Sequence, residues 1–364
     1  MKAAVLYEPN TPLVIEELDL DSPRAGEVKI KVGAAGICRS DLHFMNGDAK
    51  CPLPIVLGHE AAGTVEEVGE GVTSVAPGDR VVIAFVSTCG RCENCVIGRP
   101  NLCLTRGKFV MSQFDGTSRL RKGDTSVAQF DQMSCFASHT VVPESACIPA
   151  PASLPLEIAA FIGCCTTTGV GAVLYNAKVE ADSTVAVVGC GGVGLNVIMG
   201  SVLANARQII AVDINEGKLE FAMKFGATHS VNPTQQDAVE QVKQLTGGMG
   251  VDYAFEVFGS PDTTAMTYDM TKKGGTAVVV GISPWGTKAP IDPVALVRDE
   301  KVLKGCYYGS ARMSADMPKL IDMYLAGKLA LDDLVTRRYS LDQINEAYED
   351  LERGEIGRGV ITRF

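Results

Sequence analysis

The sequence predicts an α/β protein of two domains, a β-rich domain followed by a doubly wound parallel sheet. Three observations carry this. The chain has 364 residues, 46% hydrophobic and 21% charged, enough for two ordinary cores at about 150 residues per domain. Its first part is broken by Gly and Pro into short segments in which polar and apolar residues alternate. Near residue 165 the texture changes, and unbroken apolar runs of strand length alternate with helical stretches. Alternation marks strands with one wet face, whereas an unbroken run marks a strand buried on both faces of a parallel sheet.

In chain order, Met1–Tyr7 reads as a first strand, and Glu27–Val32 alternates with period two. Pro77-Gly78-Asp79 is a turn, and the strand Arg80–Phe85 follows it. Many such short strands predict a partly open barrel over residues 1–165. Val185–Val188 is a buried strand, followed by a helix from about Val193 to Asn205 and a second buried strand, Gln208–Val212. Val251–Val257 and Thr276–Val280 fit further strands. Strands alternating with helices make βαβ units, so residues 166–308 form the doubly wound domain. Residues 309–364 hold amphipathic stretches around Met317–Ala326 and Leu341–Arg353, then a short strand, Gly359–Thr362, which returns to the first domain.

The formal net charge of −10 argues against nucleic acid or an anionic membrane as partner. No stretch approaches the ~18 consecutive apolar residues of a membrane span. The N-terminus is interrupted too soon, by Glu8-Pro9, for a signal peptide. Twelve cysteines without an export signal point to a reducing cytoplasm, with metal binding or burial in place of disulfides.

Gly189-Cys190-Gly191-Gly192-Val193-Gly194 matches G-x-G-x-x-G and stands between a strand and a helix, the context a dinucleotide site requires. Gly189 permits the tight turn, Gly191 admits a pyrophosphate at the helix N-terminus, and Gly194 lets helix and strand pack closely. Asp213, at the end of the next strand, can accept hydrogen bonds from an adenosine ribose and repel a 2′-phosphate, so NAD is expected over NADP. Lys218 is placed to reach the same ribose.

Cys89, Cys92 and Cys95 form C-x-x-C-x-x-C, and Cys103 completes a set of four thiols. Four thiolates close a tetrahedral site with no open position, which favours a structural zinc over an iron–sulfur cluster. Elsewhere, Cys38 lies in Gly36–His43, a segment rich in chemistry; His59 ends the apolar run Pro54–Leu57-Gly58; and Cys164 follows Gly163. Spacing alone does not join these three. Cys51, Cys135, Cys147, Cys165, Cys190 and Cys306 read as ordinary core thiols.

In Gly36–His43, in Gly58-His59-Glu60-Ala61-Ala62-Gly63, in the four-cysteine lobe, in Gly163-Cys164 and in Gly189–Gly194, the sequence resembles the zinc-containing medium-chain alcohol dehydrogenases. The match runs from the first strand to the C-terminus. The resemblance implies a GroES-like catalytic domain, a Rossmann cofactor domain, NAD and two Zn²⁺ per subunit. It implies Cys38, His59 and Cys164 as ligands of a catalytic zinc, with Asp41 orienting the histidine and Glu60 behind the metal. Ser40 and His43 match the family's proton relay, Arg39 and Arg358 its pyrophosphate contacts, and Thr168 and Val193 its nicotinamide contacts. Phe85 matches a position lining the alcohol pocket and Ala49 one near its mouth, which suits primary or aromatic alcohols and their aldehydes. The segment Gly107–His139, with its core Gln113–Arg119, resembles the loop of the dimeric branch and implies a homodimer joined through the cofactor domains. Relatives acting on thiol-bound formaldehyde carry an acid at the position of Ala49 and an arginine at that of Gly107; neither is present, although Arg106 is adjacent. Polyol dehydrogenases replace the second thiolate with a carboxylate, and catalytically silent relatives lose the ligands; Cys164 and its two companions argue against both.

Overall fold

The computed structural model describes residues 1–354 and 357–364. They divide into two compact units, Met1–Cys164 with Ala311–Phe364, and Cys165–Ser310. The α/β class with a GroES-like β-rich part and a Rossmann part is what is found.

The first unit is organised by the strand Glu27–Gly36, whose inward positions are almost all buried. It pairs antiparallel with Ala61–Val68, His139–Pro143 and the C-terminal strand Arg358–Arg363. A seven-stranded sheet grows from these pairings, and a six-stranded sheet built on Lys2–Leu6 accompanies it. The long segment after the cysteine lobe is clamped to this frame by Arg119. Its buried guanidinium forks onto Glu27, with Nε 2.8 Å from Oε2 and Nη2 2.6 Å from Oε1, the two-pronged geometry that suits arginine and carboxylate.

The second unit holds one parallel sheet of six strands. Its spatial order is His229–Val231, Gln208–Val212, Thr184–Val188, Val251–Glu256, Thr271–Val279, Val302–Gly305. The order therefore reverses between Thr184–Val188 and Val251–Glu256, and in doubly wound sheets ligands bind at that reversal, beyond the carboxyl ends of the strands. The strand expected over Thr276–Val280 begins earlier, at Thr271. Lys272-Lys273-Gly274-Gly275 looks like a turn in sequence, yet the strand tolerates it through a register shift between Val251 and Tyr253 of its neighbour.

No stretch of about 18 consecutive apolar residues is present, yet the helical run Leu156–Ala177 is long and apolar enough on average to cross a membrane, with a mean hydropathy of 1.7. Its threonines and glycines break the apolar run in sequence without lowering the average enough. Since 83% of its most apolar 18-residue window is buried within the fold, it serves as a core helix. Two π-helical turns, Ile162–Thr166 and Ala172–Ala177, interrupt it, and such turns often mark functional positions. The first carries Cys164. It packs directly on the strand Arg80–Ile83, because a Cβ on Gly163 would lie 2.6 Å from the Ile83 carbonyl oxygen. Gly163→Val should therefore push Cys164 out of place, costing about 1–3 kcal/mol by overpacking. A lowered melting temperature together with lost bound metal checks this; an unchanged value of both would contradict it.

Candidate active site

The strand register assembles a buried cluster. Ala35 stands opposite Ala61 and Ala34 opposite Ala62, and Gly36 N–H donates to the Glu60 carbonyl at 2.7 Å. The chain leaving the first strand at Ile37-Cys38 thus runs beside the chain entering the second at His59-Glu60. Pairing of Ala61 with Ile83 brings the Arg80–Ile83 strand, and Phe85 beyond it, to the same end. Pairing of Val360 with Gly36 adds Arg358. Cys38, His59, Glu60 and Cys164 are all buried, and one donor atom from each lies within 4.8 Å of the others. Two thiols and an imidazole in that geometry can hold a metal ion and leave a further position open.

The surroundings are polar and paired. Asp41, fully buried, accepts from Gly58 N–H at 3.0 Å and lies 3.1 Å from His59 Nδ1 through the same oxygen. That contact fixes the ring and leaves Nε2 for the cluster. Burial opposes charge on His59, but Asp41 and Cys38 outweigh it and hold the imidazole well above its ordinary value. The Cys164 thiol holds Cys38 well below the usual thiol range, with His59 and Arg358 assisting against burial. Burial pushes the Glu60 carboxyl up to about 7, although Arg358 lies 2.5 Å from it.

Cys38 caps the short helix Arg39–Met45. Ser40 Oγ is 3.7 Å from Cys38 Sγ. His43 is half-exposed, its Nδ1 3.3 Å from Asp48, and its carbonyl accepts from Ala49 N–H at 3.0 Å. Ser40 and His43 share a helix but are not hydrogen-bonded to each other among the described residues. Arg39 is exposed at the helix start. Two rings face His59 edge-on, Phe85 at 5.5 Å and Phe130 at 5.9 Å between centroids. Sequence reading found Phe85 and missed Phe130. Arg106, noted in sequence only as the neighbour of Gly107, lies against the Phe85 ring; sequence reading missed its partner Asp131, and Tyr348, whose hydroxyl burial pushes well up, with Asp41 adding to the effect. None of these sits in a recognisable motif.

Cys89, Cys92, Cys95 and Cys103 bring their sulfurs within 4.8 Å of one another in the second metal-capable cluster. Backbone N–H groups point at the sulfurs: Cys92 N–H at Cys89 Sγ, 3.3 Å, and Cys89 N–H at Cys103 Sγ, 3.4 Å. Burial pushes the Cys89 thiol up, but hydrogen bonds from the Thr105 hydroxyl and from Arg91 and Cys92 N–H outweigh it and hold it down to about 6. All twelve cysteines are free thiols.

In the second unit, the turn after Thr184–Val188 is left-handed at Gly189, φ 100°, and the helix Gly192–Leu203 follows. A Cβ on Gly194 would meet the Gly189 carbonyl oxygen at 1.9 Å, so only glycine permits this packing. Gly191 faces open space. Asp213 accepts from Cys190 N–H at 2.8 Å and Asn215 N–H at 3.0 Å, which ties the acid to the glycine turn. Lys218 is half-buried in the first turn of the next helix. Asn196 binds the Gly192 carbonyl at 2.8 Å and reaches Cys165 Sγ at 3.7 Å, so the helices carrying Val193 and Thr168 adjoin.

Comparison with known proteins agrees with this architecture. Residues 24–152 match the alcohol dehydrogenase GroES-like domain family and residues 192–326 the zinc-binding dehydrogenase family. An NDMA-dependent alcohol dehydrogenase of Amycolatopsis methanolica is 40% identical over 99% of this chain and 98% of its own length. The chain belongs to the zinc-containing medium-chain alcohol dehydrogenases. Among solved structures, a zinc-binding-domain alcohol dehydrogenase protein from Burkholderia ambifaria superimposes with a TM-score of 0.95 at 35% identity, covering 100% of this chain and 98% of that one. A benzyl alcohol dehydrogenase from Acinetobacter calcoaceticus does so with a TM-score of 0.95 at 33% identity, covering 100% and 99%. This alcohol dehydrogenase carries its four-cysteine lobe apart from the buried cluster in sequence, and the two should fail differently. Cys92→Ser should lower the melting temperature by several degrees, at about 2–4 °C per kcal/mol for a domain of about 200 residues, and release one metal equivalent while the other stays. Retention of the full metal content and of the melting temperature would contradict a structural role.

Proposed function

We propose that this alcohol dehydrogenase is zinc-dependent and NAD-linked, and that it oxidises primary or aromatic alcohols to aldehydes and reduces them back. The observation that carries the reading is the buried Cys38–His59–Cys164 set, its donor atoms within 4.8 Å and its histidine held by Asp41. A set of two thiolates and one imidazole suits a catalytic zinc, and the four-cysteine lobe suits a structural one. When bound, zinc supplies a Lewis acid that eases deprotonation of an alcohol, and NAD supplies the hydride acceptor.

The chain's own residues do the rest. Ser40, beside Cys38, takes the alcohol proton, and His43 passes it to solvent at the half-exposed edge beside Asp48. Glu60, held by Arg358, backs the ligand set. Arg358 and Arg39 meet the cofactor's pyrophosphate, and Thr168 and Val193 its nicotinamide. Gly189, Gly191, Gly192 and Gly194 shape the phosphate turn, while Asp213 and Lys218 bind the adenosine ribose. Phe85 and Phe130 give the pocket aromatic walls, and Ala49 leaves its mouth open, which favours apolar alcohols. The relative named for benzyl alcohol supports the same class. Twelve free thiols fit a reducing cytoplasm.

The NDMA-dependent relative makes the acceptor the decisive test. Turnover of benzyl alcohol with free NAD as sole acceptor supports the reading; turnover that requires NDMA would overturn it. Asp213→Gly should erode a preference for NAD over NADP by at least about tenfold, one to two hydrogen bonds' worth, and equal efficiency with NADP in the unmutated enzyme would contradict the assignment.

His43→Ala should slow alcohol oxidation while keeping both metals, and buffer bases should restore part of the rate. Loss of a metal in that variant would make His43 a ligand. We further propose a homodimer joined through the cofactor domains: the edge strand Val302–Gly305 is exposed throughout, and Val294 and Val297 expose apolar side chains nearby in sequence. Light scattering should give twice the 38.5 kDa chain mass; a monomer or tetramer would contradict it.

A further inference from the structure

We propose that Asp131 sets the charge selectivity of the alcohol pocket: it neutralises Arg106 behind the aromatic wall, so the site takes uncharged alcohols and turns away those bearing a carboxylate. The inference rests on the alcohol reading above and adds a specificity-determining pair to it.

Arg106 is the cation at the wall. Its side chain is 7% exposed, its partner Asp131 13%, and the two form an ion pair through Nη2 and Oδ1. The same Nη2 donates to the Phe85 carbonyl at 3.2 Å, and the guanidinium lies 5.9 Å from the Phe85 ring centroid. Phe85 faces His59, and so does Phe130, the chain neighbour of Asp131. Phe85 therefore stands between Arg106 and the ligand histidine as a shared neighbour of both. A guanidinium keeps its proton at any working pH. Alone there, it would be a fixed positive charge in a poorly solvated place and would attract any carboxylate entering the pocket. Paired, it presents no net charge.

The backbone is bent to present that partner. Asp131, Gln132 and Ser134 all lie in the left-handed region, with φ of 51°, 63° and 56°, which is unfavourable for residues with side chains and persists only when surroundings enforce it. They do so here. Ser134 Oγ accepts from Phe130 N–H at 2.9 Å and donates to the Val56 carbonyl at 2.6 Å, and Gln113 donates to the Gln132 carbonyl at 3.1 Å. Arg106 is fixed from its own side, since its backbone N–H points at Cys103 Sγ, 3.5 Å away. A strained turn, strapped on three sides, delivers one carboxylate to one guanidinium.

The test compares kcat/KM for 4-methylbenzyl alcohol, 4-(hydroxymethyl)benzoate and 4-(aminomethyl)benzyl alcohol. In the unmutated enzyme both charged alcohols should fall at least about tenfold below the neutral one, because each would leave its charge poorly solvated and unpaired. Asp131→Asn should raise the benzoate relative to the neutral alcohol by about tenfold or more, as a charge-assisted hydrogen bond allows. Arg106→Met should mirror this and favour the amine. Thermal-shift binding of 4-methylbenzoate against 4-methylbenzamide reads the same preference without turnover: the amide should bind better to the unmutated enzyme and the benzoate to Asp131→Asn. An unmutated enzyme that prefers the carboxylate by either readout overturns the proposal, and this holds even where a variant fails to fold. Folded variants with unchanged preferences overturn it too. Oxidation of none of the three alcohols would instead refute the alcohol reading, while the binding comparison still decides the role of the pair.

Discussion

The candidate site hangs on one antiparallel register, Ala34 against Ala62 and Ala35 against Ala61. A slip of one residue would turn every side chain of a strand to the opposite face. Here it would carry Cys38 and His59 away from each other, and with them the residues each brings. The strand Glu27–Gly36 resists such a slip because it is paired with three other strands, and because Arg119 grips Glu27 at its start. Its far end is then a fixed point. Cys38 begins the helix that holds Ser40 and His43, and the returning C-terminal strand lays Arg358 against Glu60.

A second constraint is charge. Asp41 with His59, Glu60 with Arg358, and Arg106 with Asp131 are charged or charge-assisted pairs taken largely out of water. Pairs of this kind cost desolvation energy that their attraction repays only in good geometry, and apolar replacements of like volume are often as stable. Stability therefore gives no reason for three such pairs around one cluster. Each acts on something beside it: the ring orientation of His59, the charge behind the ligand set, and the charge behind the aromatic wall.

Local signals made much of this legible in the sequence. The four-cysteine lobe shows in its spacing, and the dinucleotide turn shows because glycines, strand, helix and acid stand in order within a short span. The Cys38–His59–Cys164 set does not show in spacing; only family resemblance joins it, since contacts made through strand register leave no trace in sequence distance. Arg358 was expected at a pyrophosphate, and nothing in the sequence signals its seat on Glu60, made by a strand that returns from the far end of the chain. Asp131 and Phe130 were equally hidden, because an αL turn without glycine has no compositional signature. The helix Leu156–Ala177 shows how two measures of apolarity part: counting consecutive apolar residues stops at a threonine that the average absorbs.

Zinc quantification combined with Zn K-edge absorption spectroscopy on the purified, unmutated protein tests the account most directly. Two sites of the proposed kinds predict about two zincs per chain with about three sulfur ligands each on average, since one site has four thiolates and the other two. About one zinc per chain, surrounded by four sulfurs, would mean that the buried cluster assembled by the strand register does not hold metal, and would contradict the account.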